Sequence, residues 1–210
     1  MSLLYYKMDE VAIRKALEDA VAFSPEVQAK ANKVVAGLFG RAKDNLMRDF
    51  NENPITQELK AGSEASNISD TLNGEGNLFG FLGFFQGQDP TEELGELLSR
   101  VSYERSSIRK NVIYYKITNY PTEGQIKDAT RMNWGNGASW AYGVETGEFE
   151  GDASLSHYIF KTWAGSRSQA GFQIKGYEYS EESFNPKPYI TQILENFADR
   201  VNNSTSKFLI

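Results

Sequence analysis

The strongest constraint in this sequence of 210 residues is a long series of apolar side chains at helical spacing. Most lie three or four positions apart: Val27, Ala31, Val34, Val35, Leu38, Phe39, Ala42, Leu46 and Phe50. That spacing places them on one face of an α-helix. Ser24-Pro25 supplies an N-cap and a proline at the first helical position, and Asn53-Pro54 supplies a stop. The sequence therefore predicts a long helix between these two signals.

The length of this helix has a consequence for the rest of the molecule. About 26 residues at 1.5 Å each span roughly 39 Å. A compact core built from a chain of this size does not need so long an element. We therefore expect one end of the helix to project from the core and to meet a neighbouring molecule.

The remaining patterns place further helices early and strands late. Helical spacing or helix-start residues occur at 8–23, 55–61, 89–101, 121–130 and 188–201. Runs of β-branched and aromatic residues, or alternation, predict strands at 112–117, 139–145, 157–162 and 171–179. There is no internal repeat and no clean linker. The sequence predicts one α+β domain over residues 1–210, with long N-terminal helices packed on an antiparallel or mixed β-sheet and a C-terminal helix.

Two segments are predicted to be flexible, the loop 62–88, rich in Gly, Ser and Asn, and the tail 202–210. Within that loop, Leu78–Phe85 reads LFGFLGFF and has two interpretations. It is either a buried strand bent at its glycines or a loop whose aromatic side chains insert into a partner. The candidate interface residues are Phe79, Phe81, Leu82, Phe84, Phe85, Trp134 and Trp140.

Charge and residue counts argue against several kinds of chemistry. The net charge is −6, which leaves no excess of basic residues for phosphate, so we expect no sequence-specific nucleic-acid binding. The chain has no cysteine and a single histidine, His157, which argues against thiol nucleophiles and against metal sites built from cysteines or several histidines. No phosphate-binding glycine motif is present, and no apolar stretch is long enough to cross a bilayer. We expect no enzyme activity, no metal or cofactor and no membrane partner.

An acidic group supports one alternative function. Glu145, Glu148, Glu150 and Asp152 lie close in sequence to Trp134 and Trp140. Carboxylates beside tryptophans are typical of carbohydrate-binding clefts and glycoside hydrolases. The competing interpretation is a solvated turn between two elements, because no spacing in the group separates a general acid from a general base.

Several short segments, taken with the long helix, carry a resemblance: NPITQEL from Asn53, SNIS from Ser66, LFGFLGF from Leu78, WGNGASWAYGVE from Trp134, GEFEG from Gly147, SRS from Ser166 and GFQ from Gly171. Over most of residues 25–200 the chain resembles the tail-completion or neck proteins that join head to tail in tailed bacteriophages.

That resemblance implies a structural protein of the virion, made in the host cytoplasm. Such proteins form cyclic rings, commonly hexamers, and dock on portal-side proteins, tail-tube proteins or other rings of the joint. It implies that loop 62–88 becomes ordered on assembly. It also implies that DNA passes through the ring, where acidic residues would repel phosphate. A third hypothesis is a cytosolic adaptor unrelated to phage.

Overall fold

The computed structural model describes residues 11, 14–17, 20, 24–109, 112–132, 137–148 and 184–205. Over these residues the fold is α+β, as the sequence predicts. The helices are α1 (Pro25–Glu52), α2 (Pro54–Ala61), α3 (Leu78–Leu82), α4 (Glu92–Ser99), α5 (Glu123–Ala129), α6 (Trp140–Thr146) and α7 (Ile190–Thr205), with a 3₁₀ turn at Gly62–Glu64. The strands β1 (Ser102–Arg109) and β2 (Val112–Thr118) pair antiparallel.

The long helix α1 is confirmed, and local chemistry sets both of its ends. The Ser24 side chain accepts a hydrogen bond from the backbone N–H of Val27 at 3.3 Å, and Pro25 occupies the first helical position. At the other end Asn53 takes extended backbone angles, and its side chain accepts the N–H of Ile55 at 2.9 Å to begin α2. The helix has 28 residues.

The core lies between the C-terminal half of α1 and helix α7, with the shorter helices packed around them. Ala42, Leu46 and Phe50 are the buried residues of α1. On α7 the apolar face is buried as predicted, and its members are Ile190, Ile193, Leu194 and Phe197, with Val201 partly buried against them. An ion pair between Arg200 and Asp49, with atoms 2.6 Å apart, ties the two helices together beside the core. This packing holds one half of α1 firmly in the body of the molecule.

Two predicted strands are helices in the structure. Residues 78–85 were predicted as a buried strand or an exposed loop, but Leu78–Leu82 forms helix α3, capped by Asn77 and ended by Gly83 in the left-handed region. Residues 139–145 form α6 instead of a strand, because the Ser139 side chain accepts the N–H of Tyr142 and starts a helix. Local capping outweighed the aromatic and β-branched composition in both places.

Other boundaries also differ from the prediction. Strand β1 was not predicted, since SYERSSIR is too polar to read as a strand without its partner β2. Helix α7 continues to Thr205, so residues 202–205 of the predicted flexible tail are helical. The predicted strands 157–162 and 171–179 lie outside the described residues, as do 206–210.

Candidate interaction surface

Most of the predicted interface residues serve the chain's own core. Phe79, Leu82, Phe84 and Trp140 are buried, and Phe79 lies 5.6 Å from Phe84 between ring centroids. Trp140 packs against the ring of Tyr189 at 5.9 Å. In this conformation these four side chains are covered within the chain, and their contact with a partner stays a prediction. The apolar composition that is compatible with a partner-binding loop belongs here to a buried helix.

The other three predicted interface residues differ from these four in exposure or lie outside the described residues. Phe81 is half-buried and stacks on Phe184, with ring centroids 5.4 Å apart. Phe85 is 46% exposed, in a turn where the N–H of Gln88 donates to the carbonyl of Phe85. Trp134 lies outside the described residues. Of the seven, Phe85 is the described residue that retains a large exposed apolar surface.

The predicted flexible loop is organised around a buried carboxylate. Glu58 on α2 has no exposed surface, and its side chain accepts hydrogen bonds from the Asn67 side chain and from the backbone N–H groups of Ser69 and Leu78. Asn67 in turn accepts the N–H of Leu72 at 2.9 Å. Residues 66–78 therefore wrap around one side chain from a neighbouring helix. In this conformation the segment is held by hydrogen bonds from the chain itself, and its ordering on assembly stays a prediction.

The acidic group near Trp140 is used differently from a catalytic pair. The Glu145 carboxylate accepts the N–H groups of Tyr189 and Thr191 at 3.2 and 2.7 Å and the Thr191 hydroxyl at 2.9 Å. These contacts place it at the N-terminus of α7, where a negative charge is stabilising. Glu148 is exposed, and Glu150 and Asp152 lie outside the described residues. Since Trp140 is buried, the described residues present no tryptophan platform for a sugar.

Tyr189 is the most strongly perturbed tyrosine among the described residues. Burial raises the pKa of its phenol well above the ordinary value of 10.0, although its hydrogen bond with Thr56 at 2.6 Å opposes that rise. The hydroxyl thus stays neutral and fastens α2 to the start of α7. Burial also raises the pKa of Tyr115 and of Tyr120.

A surface of a different kind lies at the other end of α1. No residue from 25 to 41 is fully buried, a stretch of helix roughly 25 Å long. The β1–β2 pair lies beside it: Tyr103 packs on Phe39 with ring centroids 4.6 Å apart, and the Tyr115 hydroxyl donates to Asn32 at 2.6 Å. We call residues 25–41 together with β1 and β2 the arm.

The arm carries exposed apolar side chains. Val34 is 41% exposed and Tyr114 is 46% exposed. Of the predicted helix 8–23, the described residues 11, 14–17 and 20 are helical, and all are exposed, including Val11 and Leu17. Three apolar residues that the helical patterns assigned to a buried face, Val11, Leu17 and Val34, are therefore open to solvent.

One side of α1 within the arm is basic. Lys30, Lys33, Val34 and Arg41 are all exposed and recur at spacings that place them on the same helical face, with Gly37 between them. We call these residues the basic stripe. The exposed Glu26 lies on this face one turn before Lys30, so three basic residues face one acidic residue along it. The sequence pattern contains this signal, but the overall charge of −6 conceals it, because a whole-chain count averages the arm with the rest. A charge count taken segment by segment would have found it.

The described residues contain no group of three or more acidic, histidine or cysteine side chains placed to hold a metal ion. None of the helices described is both long and apolar enough to cross a membrane. Comparisons with protein-family models, with curated proteins and with solved structures find no match to this chain.

Proposed function

We propose that the chain is a structural protein of a tailed bacteriophage virion that joins head and tail by forming a ring with copies of itself. In that role it docks on neighbouring rings of the joint, such as portal-side or tail-tube proteins, and catalyses no reaction. The proposal starts from the sequence resemblance, which gives the biological setting. The arm gives it a physical basis.

The observation that carries the proposal is the arm's lack of a core of its own. A two-stranded pair is marginally stable by itself in water, and a helix in a protein gains most of its stability from packing of its apolar face. Here both elements stand beside each other with Val34 and Tyr114 exposed. Elements of this kind are stabilised when a neighbouring protein covers them, which is the situation of a subunit in a ring.

The hydrogen bonds of two carboxylates provide further support, because a catalytic site would need such groups to be available to a substrate. The buried carboxylate of Glu58 and the half-buried one of Glu145 are both engaged with backbone N–H groups of the chain itself. Groups held in this way stabilise a scaffold. An assembly protein needs a scaffold of fixed shape more than it needs a reactive group.

Two measurements test the proposal. Multi-angle light scattering after size exclusion should give a ring of several subunits, or a ring that forms when head or tail proteins from the same genome are added. Deleting the gene from that phage should produce filled heads and separate tails in electron micrographs. A protein that stays monomeric at all concentrations and binds none of those partners would refute the proposed role.

A further inference from the structure

The charges of this chain are divided unevenly between the arm and the rest. The arm contains six basic side chains (Lys30, Lys33, Arg41, Arg105, Arg109 and Lys116) against two acidic ones (Glu26 and Glu104), a net charge of +4. Since the whole chain carries −6, the remaining residues carry −10. Two surfaces of opposite sign on one molecule attract each other between copies.

The most concentrated acidic surface near an exposed apolar side chain lies at the start of α4. Asp89, Glu92, Glu93 and Glu96 are all exposed, and Phe85 precedes them in the adjoining turn. We call these five residues the acidic face. Arg100, the residue that follows α4, is a basic residue beside them and pairs with Glu96 at 2.9 Å. The acidic face thus combines negative charge with one aromatic anchor, which complements a basic stripe containing Val34.

We propose that the basic stripe of one copy docks on the acidic face of a second copy, with Val34 against Phe85 and with Lys30 and Lys33 opposite Glu92 and Glu93. This inference rests on the proposed self-assembly and names the two surfaces that make it. The contact joins two different patches, so it is a heterologous interface, which closes into a ring or continues as a filament.

The geometry of α1 explains why the two surfaces meet between chains. Helix α4 packs against the C-terminal half of α1, where Gly95 lies directly against the ring of Phe50. Val34 is sixteen residues earlier on α1, about 24 Å away along the axis at 1.5 Å per residue. That separation is more than twice the Debye length of about 8–10 Å at ordinary ionic strength. Lys30, Lys33 and Val34 therefore lie too far from the acidic face to contact it within one chain.

A charge-swap experiment tests this contact directly. The first variant carries Lys30→Glu and Lys33→Glu, and the second carries Glu92→Lys and Glu93→Lys. All four positions are exposed, so both variants should keep the circular dichroism spectrum of the parent. The lysine-to-glutamate variant should also keep its melting temperature, whereas the glutamate-to-lysine variant should melt a few degrees lower, because Glu92 and Glu93 lie in the first turn of α4, where negative charge is stabilising. Each variant alone should associate at least tenfold more weakly than the parent in sedimentation velocity. An equimolar mixture should recover association, because each reversed surface then finds an opposite charge on the other variant.

Matched controls separate the contact from a general charge effect. Arg48→Glu changes an exposed basic residue on the same face of α1, two turns beyond Arg41 in the body of the molecule, and should leave association unchanged. Raising the salt concentration should weaken association of the parent and of the mixture alike. Failure of the mixture to recover association, with both variants folded, would overturn the docking geometry.

The remaining outcomes are also decisive. If the parent and the Lys30→Glu/Lys33→Glu variant form the same ring at the same concentration, the basic stripe is not the contact, although the proposed function stands. If the parent stays monomeric and binds no head or tail protein, both inferences fail together. If the Lys30→Glu/Lys33→Glu variant assembles normally but loses the parent's binding to a labelled 30-base-pair DNA duplex, the basic stripe is a nucleic-acid surface and the docking proposal is overturned.

Discussion

Glu58 shows how one side chain determines the course of a long segment. Its carboxylate lies between α2 and the chain that follows, and it accepts N–H groups from Ser69 and Leu78, which are eleven and twenty residues further on. A buried charged group is stable only when hydrogen bonds replace the water that it has lost. Removing one of these partners leaves the others buried and unsatisfied, which is costly.

Replacing Glu58 should therefore destabilise the protein well beyond an ordinary surface change. Glu58→Gln places an amide donor where the neighbours also donate, and we expect a loss of about 2–4 kcal/mol in the free energy of unfolding. Urea denaturation monitored by circular dichroism measures it. Glu64→Gln, at an exposed position in the next turn, is the control and should change stability by less than about 0.5 kcal/mol. Equal stabilities for the two variants would contradict the role assigned to Glu58.

Glu145 provides a second test at the level of one residue, and it separates a structural role from a catalytic one. Its carboxylate caps α7, so Glu145→Ala should cost about 1–2 kcal/mol of stability through the lost hydrogen bonds and the lost interaction with the helix dipole. Thermal and urea unfolding give the value, with Glu148→Ala as the exposed control. If the Glu145→Ala variant unfolds like its parent but loses hydrolysis or binding of a sugar, the carbohydrate alternative is correct.

The buried phenol of Tyr189 predicts a dependence of stability on pH. Its pKa is raised in the folded protein above the ordinary 10.0 of the unfolded chain, so the neutral form is favoured by folding. That contribution is fully present below about pH 10 and is lost as the pH rises toward the folded value. Stability of the parent should fall above pH 10 by up to about 1.4 kcal/mol per pH unit from this group. Urea denaturation at pH 9, 10 and 11 should give a shallower fall for Tyr189→Phe.

At the scale of elements, the sequence predicts helix ends that are set by neighbouring residues. It misses elements that depend on contacts with residues far along the chain. The ends of α1 follow from Ser24-Pro25 and Asn53-Pro54, which act within four residues. Strand β1 is polar and becomes a strand only through pairing with β2. The apolar composition of 78–85 predicts a strand or a loop, whereas Asn77 and Gly83 make Leu78–Leu82 a capped helix.

Helix α6 offers a test of such a local signal. Gly147 ends it with a φ of 76°, which L-residues rarely adopt, and a Cβ there would lie 3.0 Å from Cγ of Pro186. Gly147→Ala should therefore destabilise by about 1–2 kcal/mol. Gly124→Ala in α5, where a Cβ would meet open space, should be neutral or stabilise by roughly 0.5–1 kcal/mol. Comparable melting temperatures for the two variants would show that the end of α6 does not depend on this glycine.

The exposure of the candidate interface residues is the feature that the sequence predicts least well. Phe79, Leu82, Phe84 and Trp140 have the composition of a contact surface, but burial depends on elements that pack from elsewhere in the chain. Phe85 differs from Phe84 in exposure although the two are adjacent in sequence. An apolar run does not indicate by itself which of its members the folded chain covers.

At the scale of the whole molecule, the body and the arm differ in how much buried surface holds them. The C-terminal half of α1 lies in the core with α7, whereas residues 25–41 and the β1–β2 pair contain no fully buried side chain among those described. Local stability follows buried apolar contacts, so the arm should open more readily than the body.

Hydrogen exchange measures this difference. In a dilute sample without partners, amides of residues 27–38 and of 103–108 should exchange at least tenfold faster than those of 42–52. The assembled sample should show slower exchange across the arm, while residues 42–52 remain nearly unchanged. Uniform protection along α1 in the dilute sample would contradict the division into body and arm.

The two glycines of α1 near the edge of the body, Gly37 and Gly40, give the helix a further property. A Cβ at Gly40 would meet nothing within 4 Å, and glycine lowers the resistance of a helix to bending. The helix is therefore most compliant at the place where it leaves the core. In the proposed ring, bending at this point would let each subunit adjust its tilt to the one beside it, so that small angular errors would be shared around the circle instead of accumulating at the last contact.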